Sequence, residues 1–286
     1  MLSKDELYIN DQIINASLAL DWNVFREHCI NNLETRFSDV FYTRIKDLII
    51  SGKFRKPIPK ESIFFRARDI DPQNVVIDNN ELAHGYNTIK DAGAPPADKC
   101  SDGRANASNE RFLYLAKEEY TAIAEINPII LQLVNISKFT LESDISVLIL
   151  PARTREFDSL EATEDENKLI RMLIWEFAKP IKDKNDYLPT QCIANLVRNS
   201  RVANGTKYDG ISYASMHGYG GQNLVLFDPD KAKLVKNEEK IVRINNIALD
   251  VVNINDLNDN ITPKLSPRSY TQDDIHKLKV KIATSN

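Results

Sequence analysis

The stretch from Tyr208 to Phe227 constrains the fold more than any other. Two short β-prone runs, around Gly210–Ser215 and Asn223–Phe227, flank the glycine-rich His217-Gly-Tyr-Gly-Gly221. A dinucleotide-binding glycine fingerprint must follow a strand and open a helix. Here the glycines lead into Leu224-Val-Leu-Phe227, which reads as another strand. A tight hairpin turn therefore fits, and a Rossmann unit does not.

The remaining pattern mixes helices and strands without a βαβ rhythm, which implies an α+β fold. The residues before Gly52 read as helical, with an apolar stripe of Leu33, Phe37, Val40, Phe41, Ile45, Leu48 and Ile49 ended by Gly52, Pro57 and Pro59. Ser62–Arg68 alternates as a strand: Ile63, Phe65 and Ala67 point one way, Phe64, Arg66 and Arg68 the other. Asp69–Glu110 shows little periodicity, and a loop that long inside a domain is usually functional or disordered. Strands are expected at Arg111–Ala116, Ile136–Leu141 and Ile145–Leu150, and a helix at Glu118–Glu125. Thr163-Glu-Asp-Glu166 is a capping box opening a helix to about Ala178, and Pro189 suits the first turn of another reaching Val202. Lys240–Ile244 and Ala248–Ile254 are further candidate strands, before a polar tail.

Composition narrows the function classes. The 286 residues are 42% apolar and 27% charged, ordinary for a folded chain. The net charge of −4 argues against direct nucleic-acid or anionic-membrane binding. No apolar run approaches the roughly 20 residues that cross a bilayer, and no secretory signal opens the chain. Cys29, Cys100 and Cys192 are odd in number and far apart in sequence. That fits a reducing compartment, taken as the cytoplasm, better than a disulfide framework. Neither cysteines nor histidines show metal-ligand spacing, so no metal is expected. P-loop, HExxH and GxSxG motifs are missing from the sequence.

Five positions sit in contexts that composition does not explain. Arg66 interrupts an aromatic and apolar strand. Arg104 lies in the Gly103-Arg-Ala-Asn106 loop. Tyr114 shares a strand face with Phe112 and Ala116, Glu125 follows Ala122-Ile-Ala124, and Ser215 ends a strand. Each has an ordinary reading alone: a solvated arginine, a core tyrosine, an exposed glutamate, a turn serine.

Taken in order, they resemble the RES domain family. The resemblance rests on Phe65-Arg66, on Gly103-Arg-Ala-Asn106 followed by Leu113-Tyr-Leu-Ala116, on Thr121-Ala-Ile-Ala-Glu125, on Tyr187-Leu-Pro-Thr-Gln191, and on Tyr208–Ser215 through Gly221-Gln-Asn-Leu-Val-Leu-Phe227. It spans residues 60–230 in round numbers. The family's arginine would be Arg66 or Arg104, its glutamate Glu125 and its serine Ser215. Ala107-Ser-Asn-Glu-Arg111 departs from the pattern, which has a glycine and a proline there. The resemblance implies an ADP-ribosyltransferase-like mixed β core with surrounding helices. The corresponding layout is an N-terminal helical extension (1–57), a catalytic domain (58–230, with a helical insert near 156–184) and C-terminal strands and tail (231–286) packed on that domain.

It further implies a toxin that degrades NAD, held by an Xre-type antitoxin. NAD would be the substrate and inorganic phosphate the co-substrate, with no resident cofactor. Water or a protein acceptor are the alternatives, as is a non-catalytic domain that binds nucleotide or partner; self-association stays open. Glu125, Arg66 and Ser215 would be catalytic; Arg104, Tyr114, Asn106, Arg68 and His217 would bind the dinucleotide. The residue types suit the chemistry. Cleaving the nicotinamide–ribose bond builds positive charge that a carboxylate stabilises. Arginines hold pyrophosphate bidentately, and a tyrosine offers a flat surface to nicotinamide.

Overall fold

The computed structural model describes residues 16–79, 83–151, 162–181, 183–215 and 221–247. Its centre is a nine-stranded mixed sheet. In chain order the elements are α1 (Ala16–Ile30), α2 (Val40–Ser51), β1 (Arg55–Ile58), β2 (Ile63–Asp69), β3 (Val76–Ile77), β4 (Ala83–His84), α3 (Ile89–Ala92), β5 (Leu113–Ala116), α4 (Glu119–Glu125), β6 (Leu133–Leu141), β7 (Ile145–Leu150), α5 (Glu164–Ala178), α6 (Leu188–Asn199), β8 (Gly210–Ala214), β9 (Gln222–Leu226), β10 (Ala232–Leu234) and β11 (Lys240–Arg243). The sheet runs β1-β7-β8-β9-β5-β2-β6-β10, with β11 also on β6, while β3 and β4 form a separate ribbon. Among the described strands only β7 and β8 pair in parallel, and their crossover carries α5 and α6. The fold is α+β, as the sequence implies.

β8 and β9 are antiparallel, pairing Ala214 with Gln222. The glycine-rich segment thus joins two antiparallel strands. Residues 216–220, and with them His217, lie outside the described residues, as do the candidate strand at 248–254 and the tail.

Residues paired across a ladder share a face. Tyr114 pairs with Val225, and Ile211 also pairs with Val225. That face meets α5 and α6 in a large core containing Leu173, Phe177, Ile193 and Val197. The other face buries Phe64, Leu113, Leu115, Phe139 and Leu224 beneath Ala92 and Ala94. The first part of the long segment after Asp69, through Ala94, therefore covers the second face and is built of short elements, whereas Ala105 joins the core on the other face. The helix α5 opens on the expected capping box, with Thr163 accepting from the Glu166 backbone and Glu166 from that of Thr163. It packs into the main core. The helix α6 stops at Asn199, short of the expected Val202.

The N-terminal stripe is split. Asp39 accepts from Phe41 N (2.9 Å) and starts α2 there. Phe41, Ile45, Leu48 and Ile49 are buried, whereas Leu33, Phe37 and Val40 are exposed before or at that start. Trp22 and Phe25 of α1 pack on Phe41, and α1 lies against α6. The chain then enters the sheet earlier than its prolines suggest. Arg55–Ile58 is a strand, with Pro57 opposite Ser146. Proline is tolerated because β1 is an edge strand, hydrogen-bonded on one side only. The contact between α1 and α6 also brings two cysteines distant in sequence, Cys29 and Cys192, close enough for their thiols to interact, and both cysteines are free.

Candidate functional site

Three elements converge on one carboxylate. The helix α4 leaves the end of β5 and buries Thr121 and Ala122 against the sheet. A β-carbon on Gly221 would lie 1.9 Å from Thr121 Oγ1, so glycine lets the helix come down over the end of the β8–β9 pair. Gly221 also accepts from Ser215 N (2.8 Å), which extends that ladder beyond Ala214. The last residue of α4, Glu125, then meets both strands. Its Oε1 accepts from Ser215 Oγ (2.6 Å) and from Asn223 Nδ2 (2.7 Å). Two donors on one oxygen fix the carboxylate's position.

A second group approaches from the Gly103–Asn106 loop. The Tyr114 hydroxyl donates to Asn106 Oδ1 (2.7 Å) and accepts from Ala105 N (3.0 Å). Asn106 Nδ2 in turn donates to the carbonyls of Ser101 and Ala107, at 2.9 and 3.0 Å. A β-carbon on Gly103 would crowd both Asn106 Oδ1 and the Tyr114 hydroxyl. From α6, Gln191 Nε2 donates to the carbonyls of Gly103 (3.0 Å) and Asn106 (2.8 Å). The loop is thereby clamped from two sides. Arg104 projects from it. Its Nη2 donates to the Ala178 carbonyl at the end of α5 (3.4 Å), while its Nη1 is buried with no hydrogen-bond partner among the described residues.

The two groups meet at Tyr213, which is paired with Asn223 in the ladder. Burial drives the Tyr213 phenol well above its ordinary pKa. The Glu125 and Tyr114 charges push the same way, and Arg104 opposes them. Burial likewise raises Tyr114. Both tyrosines are therefore neutral hydroxyls beside a carboxylate and a guanidinium. Asn223 Oδ1 is also buried without a partner among the described residues. Leaving a buried polar atom unpaired costs on the order of 1–3 kcal/mol, a cost often found where a ligand supplies the partner.

The structure thus brings together Glu125, Ser215, Tyr114, Asn106 and Arg104 on one face of the sheet. Arg66 and Arg68 leave β2 on the other. Phe65 pairs with Ala116 and shares the face of α4, so its neighbours in sequence point away. Arg66 Nη1 donates to the carbonyls of Ala92 (2.7 Å) and Gly93. Arg68 donates to those of Asp91 (2.5 Å) and Gly93 (2.9 Å). Burial, reinforced by Arg68, pushes the Arg66 guanidinium down to about 9. Burial lowers Arg68 as well. The pair grips the end of α3 and reaches Glu125 through no hydrogen bond.

Sequence reasoning passed over Asn223, Tyr213 and Gln191, although all three lie within the quoted motifs. The available signal was polarity: Asn223 opens the apolar run Leu224-Val-Leu226, and Gln191 sits on an otherwise apolar helix start. Among the described residues, no group of three His, Cys, Asp or Glu side chains is placed to hold a metal ion. None of the described helices is long and apolar enough to cross a membrane.

The RES domain family model matches residues 82–249. The chain belongs to the RES domain family. This family is known for NAD-related toxin activity and generally pairs with an antitoxin. The match takes in every residue of the clustered site, together with α5 and the strands β10 and β11, and starts after β2, which bears Arg66 and Arg68. It begins and ends later than residues 60–230, the span of the quoted motifs. Neither the curated proteins nor the solved structures give a match to this RES protein.

Proposed function

We propose that this RES domain cleaves the nicotinamide–ribose bond of NAD with inorganic phosphate as acceptor, acting as the toxin of a toxin–antitoxin pair in the cytoplasm. The observation that carries the reading is the Glu125 carboxylate, held through Oε1 by Ser215 and Asn223 on the same sheet face as Arg104.

In the reaction, the bond from ribose C1″ to the pyridinium nitrogen breaks and its electron pair stays with nicotinamide. A phosphate oxygen supplies the pair for the new C1″–O bond. The products are nicotinamide and ADP-ribose-1″-phosphate. C1″ becomes positively charged on the way, and a fixed carboxylate stabilises that charge without reorganising. Ser215 and Asn223 keep Glu125 in place. Arg104, whose Nη1 has no partner among the described residues, supplies a donor to the substrate pyrophosphate or to the incoming phosphate. Arg66 and Arg68 would serve an anion only from the far side of β2, so Arg104 is the stronger candidate for the family's arginine.

An NMR time course of NAD with the pure protein, with and without phosphate, tests this directly. Formation of ADP-ribose-1″-phosphate only with phosphate is expected. ADP-ribose in both samples would mean water is the acceptor, and no consumption would sink the enzymatic reading. Glu125→Gln is expected to slow NAD consumption by about 10²–10³ or more; a wild-type rate would exclude Glu125 from the chemistry. Co-expression with a cognate antitoxin should relieve growth arrest by the wild-type chain.

A further inference from the structure

We propose that Asn223 reads the substrate ribose: its Oδ1 accepts a hydrogen bond from one of the two adjacent hydroxyls beside the scissile bond, and Glu125 accepts from the other. This rests on the NAD-cleaving reading above and specifies which residue contacts which part of the substrate.

The amide orientation is forced. Asn223 Nδ2 lies 2.7 Å from Glu125 Oε1. Turning the amide over would set its carbonyl against a carboxylate oxygen, two acceptors facing each other. With the NH₂ committed to Glu125, Oδ1 is left on the opposite side of the group. The residue is only 3% exposed, and Oδ1 is buried with no partner among the described residues. The register reinforces the placement. Asn223 stands between Ala116 of β5 and Tyr213 of β8, at the strand end where Glu125 arrives from α4.

The polarity of the site then sorts the ligand. Glu125 and Asn223 Oδ1 are acceptors, and an acceptor pair repels phosphate but matches a diol, which offers two O–H donors on neighbouring carbons. Arg104 Nη1, a cationic donor with no partner among the described residues, provides the opposite pole for phosphate. The neutral amide next to the carboxylate adds a second acceptor without a second negative charge.

The test uses the full chain and two NAD analogues, one lacking the 2-hydroxyl and one lacking the 3-hydroxyl of the nicotinamide ribose. The wild type should prefer NAD over each analogue by roughly tenfold or more in kcat/KM. Asn223→Ala should lose a similar factor on NAD and stop discriminating against one analogue, while still rejecting the other. If it keeps both preferences, or loses both equally, Asn223 only positions Glu125 and the contact is refuted. Asn223→Asp keeps the volume and carries the test should the alanine variant fail to fold, as judged by its melting curve. Its carboxylate would share a proton with Glu125 and move the acidic limb of the kcat/KM profile to higher pH. An unmoved limb would refute the pairing. Wild-type protein that cleaves NAD alongside an unaltered discrimination pattern in Asn223→Ala removes this inference alone. Wild-type protein that does not cleave NAD removes the proposed function and this inference together.

Discussion

A β-carbon on Gly221 would lie 1.9 Å from Thr121 Oγ1, 2.8 Å from Thr121 Cγ2 and 2.9 Å from Thr121 Cβ. Thr121 is 1% exposed and donates to Glu118 Oε2 (3.2 Å), so it has little room to turn away. Gly221→Ala therefore pushes α4 off the β8–β9 pair, with Glu125 at its far end. Overpacking of this kind commonly costs about 1–3 kcal/mol. The expected result is a lowered melting temperature together with NAD turnover reduced more than the stability loss explains. Wild-type turnover in a folded Gly221→Ala protein would show that the height of α4 does not set the Glu125 position.

At the level of elements, His84 ties the β3–β4 ribbon to the turn before β11. Its Nδ1 lies 3.0 Å from Glu239 Oε1 and its Nε2 3.2 Å from Asp78 Oδ2. The Glu239 and Asp78 carboxylates raise the histidine above its ordinary pKa. A folded-state pKa above the unfolded one gives stability that is complete below the unfolded value, about 6.5, and is lost as pH rises through the folded value. The melting-temperature gap between wild type and His84→Gln should be widest below about pH 6 and close as His84 deprotonates. A gap that widens towards alkaline pH would contradict the bridge. The ribbon belongs to the segment covering the second sheet face, so the tether bears on the cover rather than on Glu125. In contrast, the clamp of Gln191 on Gly103 and Asn106 couples α6 directly to the Arg104 loop.

Across the whole molecule, the N-terminal helices and the sheet form one buried core. Trp22, Phe25, Phe41, Ile45, Ile49 and Phe54 join Leu148, Val197 and Ile211 in a single cluster, and Tyr208 donates to the Ile49 carbonyl (2.7 Å). Burying each large apolar side chain is worth about 1.5–3 kcal/mol, so losing six exceeds much of the 5–15 kcal/mol that separates folded from unfolded domains. A chain starting at Pro57 would also lose half of β1. It should show no cooperative thermal transition. A sharp melt with retained NAD turnover would instead make these helices a dispensable attachment.

Sequence and tertiary structure divided the work along physical lines. The sequence by itself determined the elements whose signals are local. The capping box at Thr163, the alternation of Ser62–Arg68, the mostly apolar run Ile145–Leu150 and the glycines between β8 and β9 each reflect backbone preference or side-chain period over a few residues. What the sequence left undecided was everything set by pairing between distant segments. β1 became a strand because an edge on β7 was open to it. Cys29 met Cys192 because α1 packs on α6. The register of Ala116 with Asn223 and with Phe65 put Asn223 beside Glu125 and turned Arg66 to the opposite face. Neither outcome can be read along the chain, because a side chain's face is fixed only when its strand finds its neighbours. The glutamate and serine of the resemblance were visible as residues; the shared oxygen that joins them to Asn223 exists only once three elements have come together.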